Sequence, residues 1–312
     1  MIIYTDNPSY SQHILTSTDP LIQDNRRPTP EIIDQFSRQL FPEKNIFVGS
    51  SGTNQFFKYL FISEYVPFSQ YDLLLDFANL GDTFQEDILC FAGSGKNFHG
   101  FRQRKWTSVP GNIHLSVLLH PGKNIEHAEI AFLILAANAV TQTINNLERI
   151  RPRAMISWVN DIIIDNFKVG GVLAQTQIQG RIIDKVVLGI GLNVDKSPEI
   201  ENDKFVEGAT HINQIVEGKI YPLKHVLWSL ISNLEQNYRA ILDNKYPDLL
   251  NYYIDHSIVV GKHVEVYSDP REGEARKIAE GVVSGITENL ELILTGQQNL
   301  IRKGRIKLLN SS

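Results

Sequence analysis

Between Ala154 and Val194 the chain passes through three apolar, β-branched stretches, "AMISWVNDIIID", "KVGGVLAQTQI" and "KVVLGIGLNV", joined by short turns. Residue runs of this kind favour strands, and three in succession demand a sheet with something to cover it. The cover lies just upstream. In "EHAEIAFLILAANAVTQTINNL", Ala128, Ala131, Phe132, Leu135, Ala136, Ala139, Val140 and Leu147 recur at helical spacing. Within the first stretch, Asn160 and Asp161 interrupt the apolar pattern, although a buried polar group without a partner costs roughly 1–3 kcal/mol. Either the fold or a ligand needs that pair.

The rest of the chain extends the α/β reading. "NIFVGSS", "DILCFA" and "NIHLSVLLH" read as strands, and "TNQFFKYLFISEY" reads as a helix between the first two. "LKHVLWSLISNLEQNYRAIL" is a second clear helix, with Val226, Leu227, Leu230, Ile231, Leu234 and Ile241 on one face. After residue 257 the character changes. "IVVGKHVEVYS", "AEGVVSGITENLELILT" and "QNLIRKGRIKLL" form short strands with Gly and Asn turns, as expected of a small β barrel. Residues 1–44 are punctuated by prolines. "TPEIIDQFSRQLF" predicts a short helix with Thr29 at its cap and Pro30 at its first position. No helix-turn-helix pair with a basic face is visible there, so the segment reads as an extension packed on the adjoining domain.

The net charge is −5, which implies no general attraction to nucleic acid or to a membrane surface. Cys90 is the only cysteine, so an internal disulfide and a CxxC metal site are excluded, and no HxH or HExxH spacing suggests a metal. Neither a signal-peptide layout nor a run of about 20 apolar residues is present, which points to the cytoplasm.

One segment departs from the acidic average. "GSGKNFHGFRQRKWTSVPGN", residues 93–112, gathers Lys96, Arg102, Arg104 and Lys105 with four glycines and Trp106. Alone, such a run reads as a solvated basic loop. Glycines also let backbone approach an anion, and arginine forks onto phosphate oxygens. The GxxxxGK[ST] spacing of a P-loop is absent.

Read in order, "GTN", the Gly/Arg loop ending in "RKW", "PGN", "WVND", "KVGGVL" and "GIGLNV", followed by a small β unit, resemble the biotin protein ligases within the biotin/lipoate ligase family. The resemblance covers residues from about 46 to 312. It implies an α/β (α+β) catalytic domain over residues 45–250 and an SH3-like C-terminal β barrel over 257–312. It also implies ATP, Mg²⁺ and biotin or a related acid as ligands, and a biotin-carboxyl-carrier-type protein as acceptor. A homodimer is left open. In that family an acid attacks the α-phosphate of ATP, and a lysine of the acceptor then takes the acyl group. The resemblance places the Asn-Asp pair at the ligand site.

The family's binding positions fall on Thr53, Asn54, Gly100, Arg102, Arg104, Trp106, Asn112, Trp158, Asn160, Asp161, Gly170, Gly171, Gly189, Gly191 and Asn193. Elsewhere the pattern breaks. Ser157 stands where the family has a lysine before its tryptophan, His99 and Phe101 stand where arginines are usual, and Gly52 replaces a serine. Lys168 is the candidate catalytic replacement, matching a lysine of the lipoate ligases. It reads equally as a surface lysine in the hairpin turn "DNFK". Lys96 is a second cation able to reach in from the loop, and the ring of Phe101 is able to stack on a flat ligand. A lipoate- or octanoate-type ligase or transferase, and a non-catalytic binding descendant, stand as alternatives.

Overall fold

Along the chain the elements are β1 (Ile2–Thr5), α1 (Pro8–Ile14), β2 (Ile22–Gln23), α2 (Glu31–Leu40), β3 (Phe47–Ser50), β4 (Tyr59–Val66), α3 (Gln70–Asn79) and β5 (Ile88–Gly95). There follow β6 (Ile113–Leu119), α4 (Ala128–Asn145), β7 (Met155–Ser157), β8 (Asp161–Ile164), β9 (Phe167–Gln179) and β10 (Ile182–Leu192). The last are α5 (Ile212–Ile215), α6 (Leu223–Leu242), α7 (Tyr246–Asp255), β11 (His263–Tyr267), β12 (Lys277–Ile286), β13 (Leu292–Leu294) and β14 (Arg305–Leu308). This computed structural model describes residues 1–16, 21–23, 30–52, 56–79, 84–150, 153–199, 205–216, 218–269 and 274–309. Thr53 and Asn54 lie outside them, as does Thr29.

Ten strands form one mixed sheet in the order β2-β3-β1-β4-β5-β6-β10-β9-β8-β7. Only β1–β4 and β4–β5 are parallel pairs. Helices α1, α4, α6 and α7 cover one face, and α2 and α3 lie on the other, with α3 packed over β6 and β10. Helix α4 is alanine-rich, which favours helix and lets it lie close to the sheet. Among the described residues it alone is long and apolar enough to cross a membrane, but most of it is buried against β9, α6 and α7. It is the core helix of this fold.

Several expectations from the sequence are corrected by the fold. Residues 59–66 are the inner strand β4, not part of a helix. Its first five residues are buried, so hydrophobic periodicity there could not separate strand from helix, and the Tyr, Phe and Ile content favours strand. "AMISWVNDIIID" is two strands, β7 and β8, with a turn at 158–160 between them. β9 lies between β8, which follows "WVN", and β10, which carries most of "GIGLNV". The first 44 residues are not a mere extension: β1 pairs with β3 on one side and β4 on the other, well inside the sheet. Helix α2 starts at Glu31 with Pro30 at its N-cap, one position later than expected.

Beyond α7, strands β13-β12-β11-β14 form a separate antiparallel sheet. It is fastened to the larger sheet through its 287–291 turn. There the indole Nε1 of Trp158 donates to the Leu290 carbonyl (2.6 Å), and the Tyr246 hydroxyl donates to the Glu288 carbonyl (2.5 Å).

Candidate active site

The sheet register sets the floor of the site. Ser157, Asp161, Gly171, Gly191 and His114 are paired in turn across β7, β8, β9, β10 and β6, so they form one row. Two adjacent glycines in that row leave a trough, and Gly189 widens it. A Cβ at Gly191 would lie 2.2 Å from the Trp106 ring, and one at Gly189 would lie 3.0 Å from Tyr71. The trough is therefore filled from above by aromatic side chains. The Trp106 indole Nε1 donates to Nδ1 of His114 (3.3 Å), which fixes the ring along the row. Above the trough lies a cavity of about 220 Å³.

Lys168 enters this cavity because of a bulge. Asp161 faces Gly171 and Ile162 faces Gly170, but the register then slips so that Ile163 faces Lys168. The extra residue is Val169, which is fully buried. Strand side chains alternate with period two, so the slip moves Lys168 onto the same face as Asp161 and Gly171. Its Nζ lies 2.6 Å from Oδ1 of Asp161 and 5.5 Å from the centre of the Trp106 ring. Its backbone is held by Gly208 and Thr210 (2.9 Å each). The hairpin turn itself is Asp165–Asn166, both with positive φ, so Lys168 is a strand residue and not the turn lysine of the alternative reading.

The basic segment forms the lid. Gly93–Gly95 belong to β5, and residues 98–106 fold back on themselves: Gly100 N donates to Arg104 O (2.6 Å), and Trp106 N to Phe98 O (2.9 Å). Arg102 and Gln103 at the tip have left-handed φ of 57° and 62°. On one side His99 Nε2 meets Asp72 of α3 at 2.8 Å. On the other, the Asp269 carboxylate beyond β11 lies 3.4 Å from Arg102 Nε and 3.7 Å from Arg104.

Of the residues singled out in the sequence, His99, Gly100, Phe101, Arg104, Trp106, Asn160, Asp161, Lys168, Gly171, Gly189, Gly191 and Asn193 line the cavity. Others have different places. Lys96 is exposed outside the lining. Arg102 turns to Asp269, Ser157 sits at the far end of the row, and a Cβ at Gly170 would meet the Gly191 carbonyl at 2.9 Å. Asn112 is a structural hub, its Oδ1 accepting from the backbone N–H of Val194 (2.9 Å), Asp195 (3.2 Å) and Lys196 (3.2 Å). Trp158 holds the C-terminal sheet instead of facing the cavity. The Asn160 side-chain amide donates to the Val172 carbonyl (2.8 Å) and its backbone carbonyl accepts from Val172 N (3.0 Å), so the 158–160 turn is tied to the interior of β9.

Tyr71, His114, Ser116 and Arg305 also line the cavity. Sequence reasoning missed them. His114 and Ser116 were visible as polar positions alternating through "NIHLSVLLH", but Tyr71 and Arg305 carried no local signal. Burial pushes the His114 imidazole down to about 4, against an opposing hydrogen bond with the Val109 backbone, and pushes the Tyr71 phenol up to about 12. Cys90 is fully buried in β5, and burial raises its thiol well above its usual range, as for a cysteine of the core.

A mixed sheet backed by a long core helix, with a cavity between a glycine row and a basic loop, is an α/β fold with one candidate ligand site among the described residues. Residues 82–193 match the model of the biotin/lipoate A/B protein ligase family. It is 27% identical over 180 residues to the bifunctional ligase/repressor BirA of Bacillus subtilis, covering 57% of this chain and 54% of that one. It is 30% identical over 110 residues to the biotin–[acetyl-CoA-carboxylase] ligase of Paracoccus denitrificans, covering 35% and 43%. The chain thus spans about half the length of the curated relatives it matches. The fold is shared with the biotin protein ligase from Aquifex aeolicus solved with biotin and ATP, at TM-score 0.62 and 23% identity over 82% of this chain and 100% of that one.

Proposed function

We propose that the protein activates a carboxylic acid, biotin or a close relative, with ATP and transfers the acyl group to a lysine of a carrier protein. The observation that carries this is Lys168. Where the family's usual lysine is replaced by Ser157, the β9 bulge supplies another cation to the same trough, held by Asp161 at 2.6 Å.

In the first step a carboxylate oxygen attacks the α-phosphorus and the bond to pyrophosphate breaks. Two anions must meet, so a fixed ammonium near both lowers the barrier. Lys168 takes that role, oriented by Asp161 and by the Trp106 ring. Arg104 and Lys105 face the phosphates, Phe101 stacks on a flat group, and the cavity bounded by the Trp106 and Tyr71 rings admits the acid. In the second step the acceptor's neutral amine attacks the acyl carbon, AMP leaves with its oxygen, and the amine loses a proton. Among the described residues no three His, Cys, Asp or Glu side chains converge as a metal cage. Mg²⁺ would accompany the triphosphate and neutralise its charge, with few protein ligands.

The C-terminal sheet is read as an SH3-like unit, roughly residues 257–312, and residues 45–250 as the catalytic domain, with β1 lent by the N-terminal segment. A carrier-protein partner, a cytoplasmic setting and possible pairing of two copies belong to the same reading. Thr53, Asn54, Asn112 and Trp158 are kept as family-matched positions, the last two in supporting roles.

Pyrophosphate release from ATP with biotin, lipoate and octanoate tests the proposal. Release with biotin, abolished by Lys168→Ala, is the expected result. Release with lipoate or octanoate alone moves the assignment to the sister branch. Silence with all three acids leaves a binding protein, a reading favoured by the engagement of Arg102 and Arg104 with Asp269.

A further inference from the structure

Arginine grips a carboxylate and a phosphate with the same planar fork, so one guanidinium edge serves one anion at a time. Both arginines of the lid face the same carboxylate, that of Asp269, which comes from the other sheet and is only 10% exposed. The lid tip is held there in a backbone conformation that non-glycine residues adopt uncommonly, with Arg102 and Gln103 both left-handed. The opposite side of the lid is pinned independently by His99 to Asp72, and its end by Trp106 in the trough. The tip is thus the part whose position depends on Asp269.

We propose that Asp269 occupies the place of a nucleotide phosphate: an internal anion that holds the lid arginines across the two sheets and must be displaced when a polyphosphate binds. The proposal rests on the nucleotide reading given above and adds the regulation of that site. A group that must first be released lowers apparent affinity by the fraction of molecules in the released state. The same contact therefore couples the C-terminal sheet to the cavity, because nucleotide and Asp269 bind the arginines in exclusion.

The test is calorimetric titration of the full chain with MgATP and with inorganic tripolyphosphate, for wild type, Asp269→Asn and Asp269→Glu. Asp269→Asn is expected to bind both probes about fivefold or more tightly than wild type, the lower range of coupling between sites. Asp269→Glu keeps the charge and is expected to stay near wild type. Hydrogen exchange adds a readout that a purely structural role would not move: MgATP should reduce protection at residues 265–269 of wild type while it increases protection at 99–105. If wild type binds MgATP and Asp269→Asn binds it equally or more weakly, the displaced-anion proposal is wrong and the nucleotide reading stands. If neither wild type nor Asp269→Asn binds either probe, both fall. Loss of folding in Asp269→Asn, seen as a lower melting temperature with Asp269→Glu normal, leaves the exchange experiment on wild type to decide.

Discussion

The trough and the lid of the cavity are built on opposite principles. The trough is made by register: five residues on five neighbouring strands fall into one row, each located by its partner on the next strand. The lid is made by side-chain contacts to distant elements, His99 to α3 and Arg102 and Arg104 to the far sheet. A trough residue is located by its neighbours on either side, whereas a lid residue is located by whichever partner holds it. Chemistry that needs a fixed charge is therefore better placed in the trough, and binding that needs opening and closing is better placed in the lid.

The largest effect separates these two at the step of catalysis. Lys168→Ala is expected to lower the rate of adenylate formation by about 10²–10³-fold, on the order of 2.7–4 kcal/mol, as for loss of one preorganised electrostatic donor. Its ion pair with Asp161 is only 24% and 28% exposed on the two sides, so the variant should also lose stability, on the order of 1 kcal/mol, with the rate measured well below its melting transition. A rate unchanged in single-turnover assays would make this lysine structural.

The second concerns His114, at the end of the row. Its folded-state imidazole titrates near 4 in place of 6.5, because burial disfavours the charged form. The unfolded chain then binds the proton first, so the stability this group contributes is complete above about pH 6.5 and falls as pH drops toward 4. At 1.36 kcal/mol per unit the loss is about 3 kcal/mol. Urea unfolding at about pH 7 and 4.5 should show most of it, and His114→Gln should flatten the slope. An equal slope in that variant would remove His114 from the account.

Gly191→Ala comes next. Its Cβ would press on the Trp106 ring at 2.2 Å, so the indole must move, and overpacking of this kind costs about 1–3 kcal/mol. Chemical denaturation should show the loss together with a shift in tryptophan fluorescence. No change in either would mean that the ring is not seated in the trough.

The smallest effect belongs to the lid. Asp72→Asn weakens the partly buried pairing with His99, whose Asp72 side is open to solvent, and should cost on the order of 1 kcal/mol overall. Hydrogen exchange at residues 98–100 should nevertheless rise, because this hydrogen bond ties His99 to α3, alongside the Tyr71 ring contact and the loop's own backbone bonds. An unchanged exchange pattern would contradict the view that the lid depends on its partners.

The difference between the two regions also explains what could be read in advance. β-Branched runs, the alanine-rich helix and the order of the glycine motifs are local, and β5, β6, α4, β9, β10 and α6 were legible from them. β4 was not, since a strand buried for most of its length loses the alternation that marks strands. β1 was not, because four residues between a terminus and a proline-rich stretch carry too little pattern, and only pairing with β3 and β4 makes them a strand. The charged cluster at 96–105 was visible by composition, but its partners Asp72 and Asp269 were not, lying about 30 and 170 residues away in the chain.

By itself, the sequence placed Gly171, Gly189 and Gly191 in strands at family-matched positions, and Lys168 next to an Asn-Asp pair after a short turn. Which face Lys168 takes was decided by the tertiary structure alone. The single extra residue at Val169 reverses the alternation of β9, and only the register against β8 reveals it. Side-chain direction along a strand has period two, so one unpaired residue turns a surface lysine into a wall of the cavity.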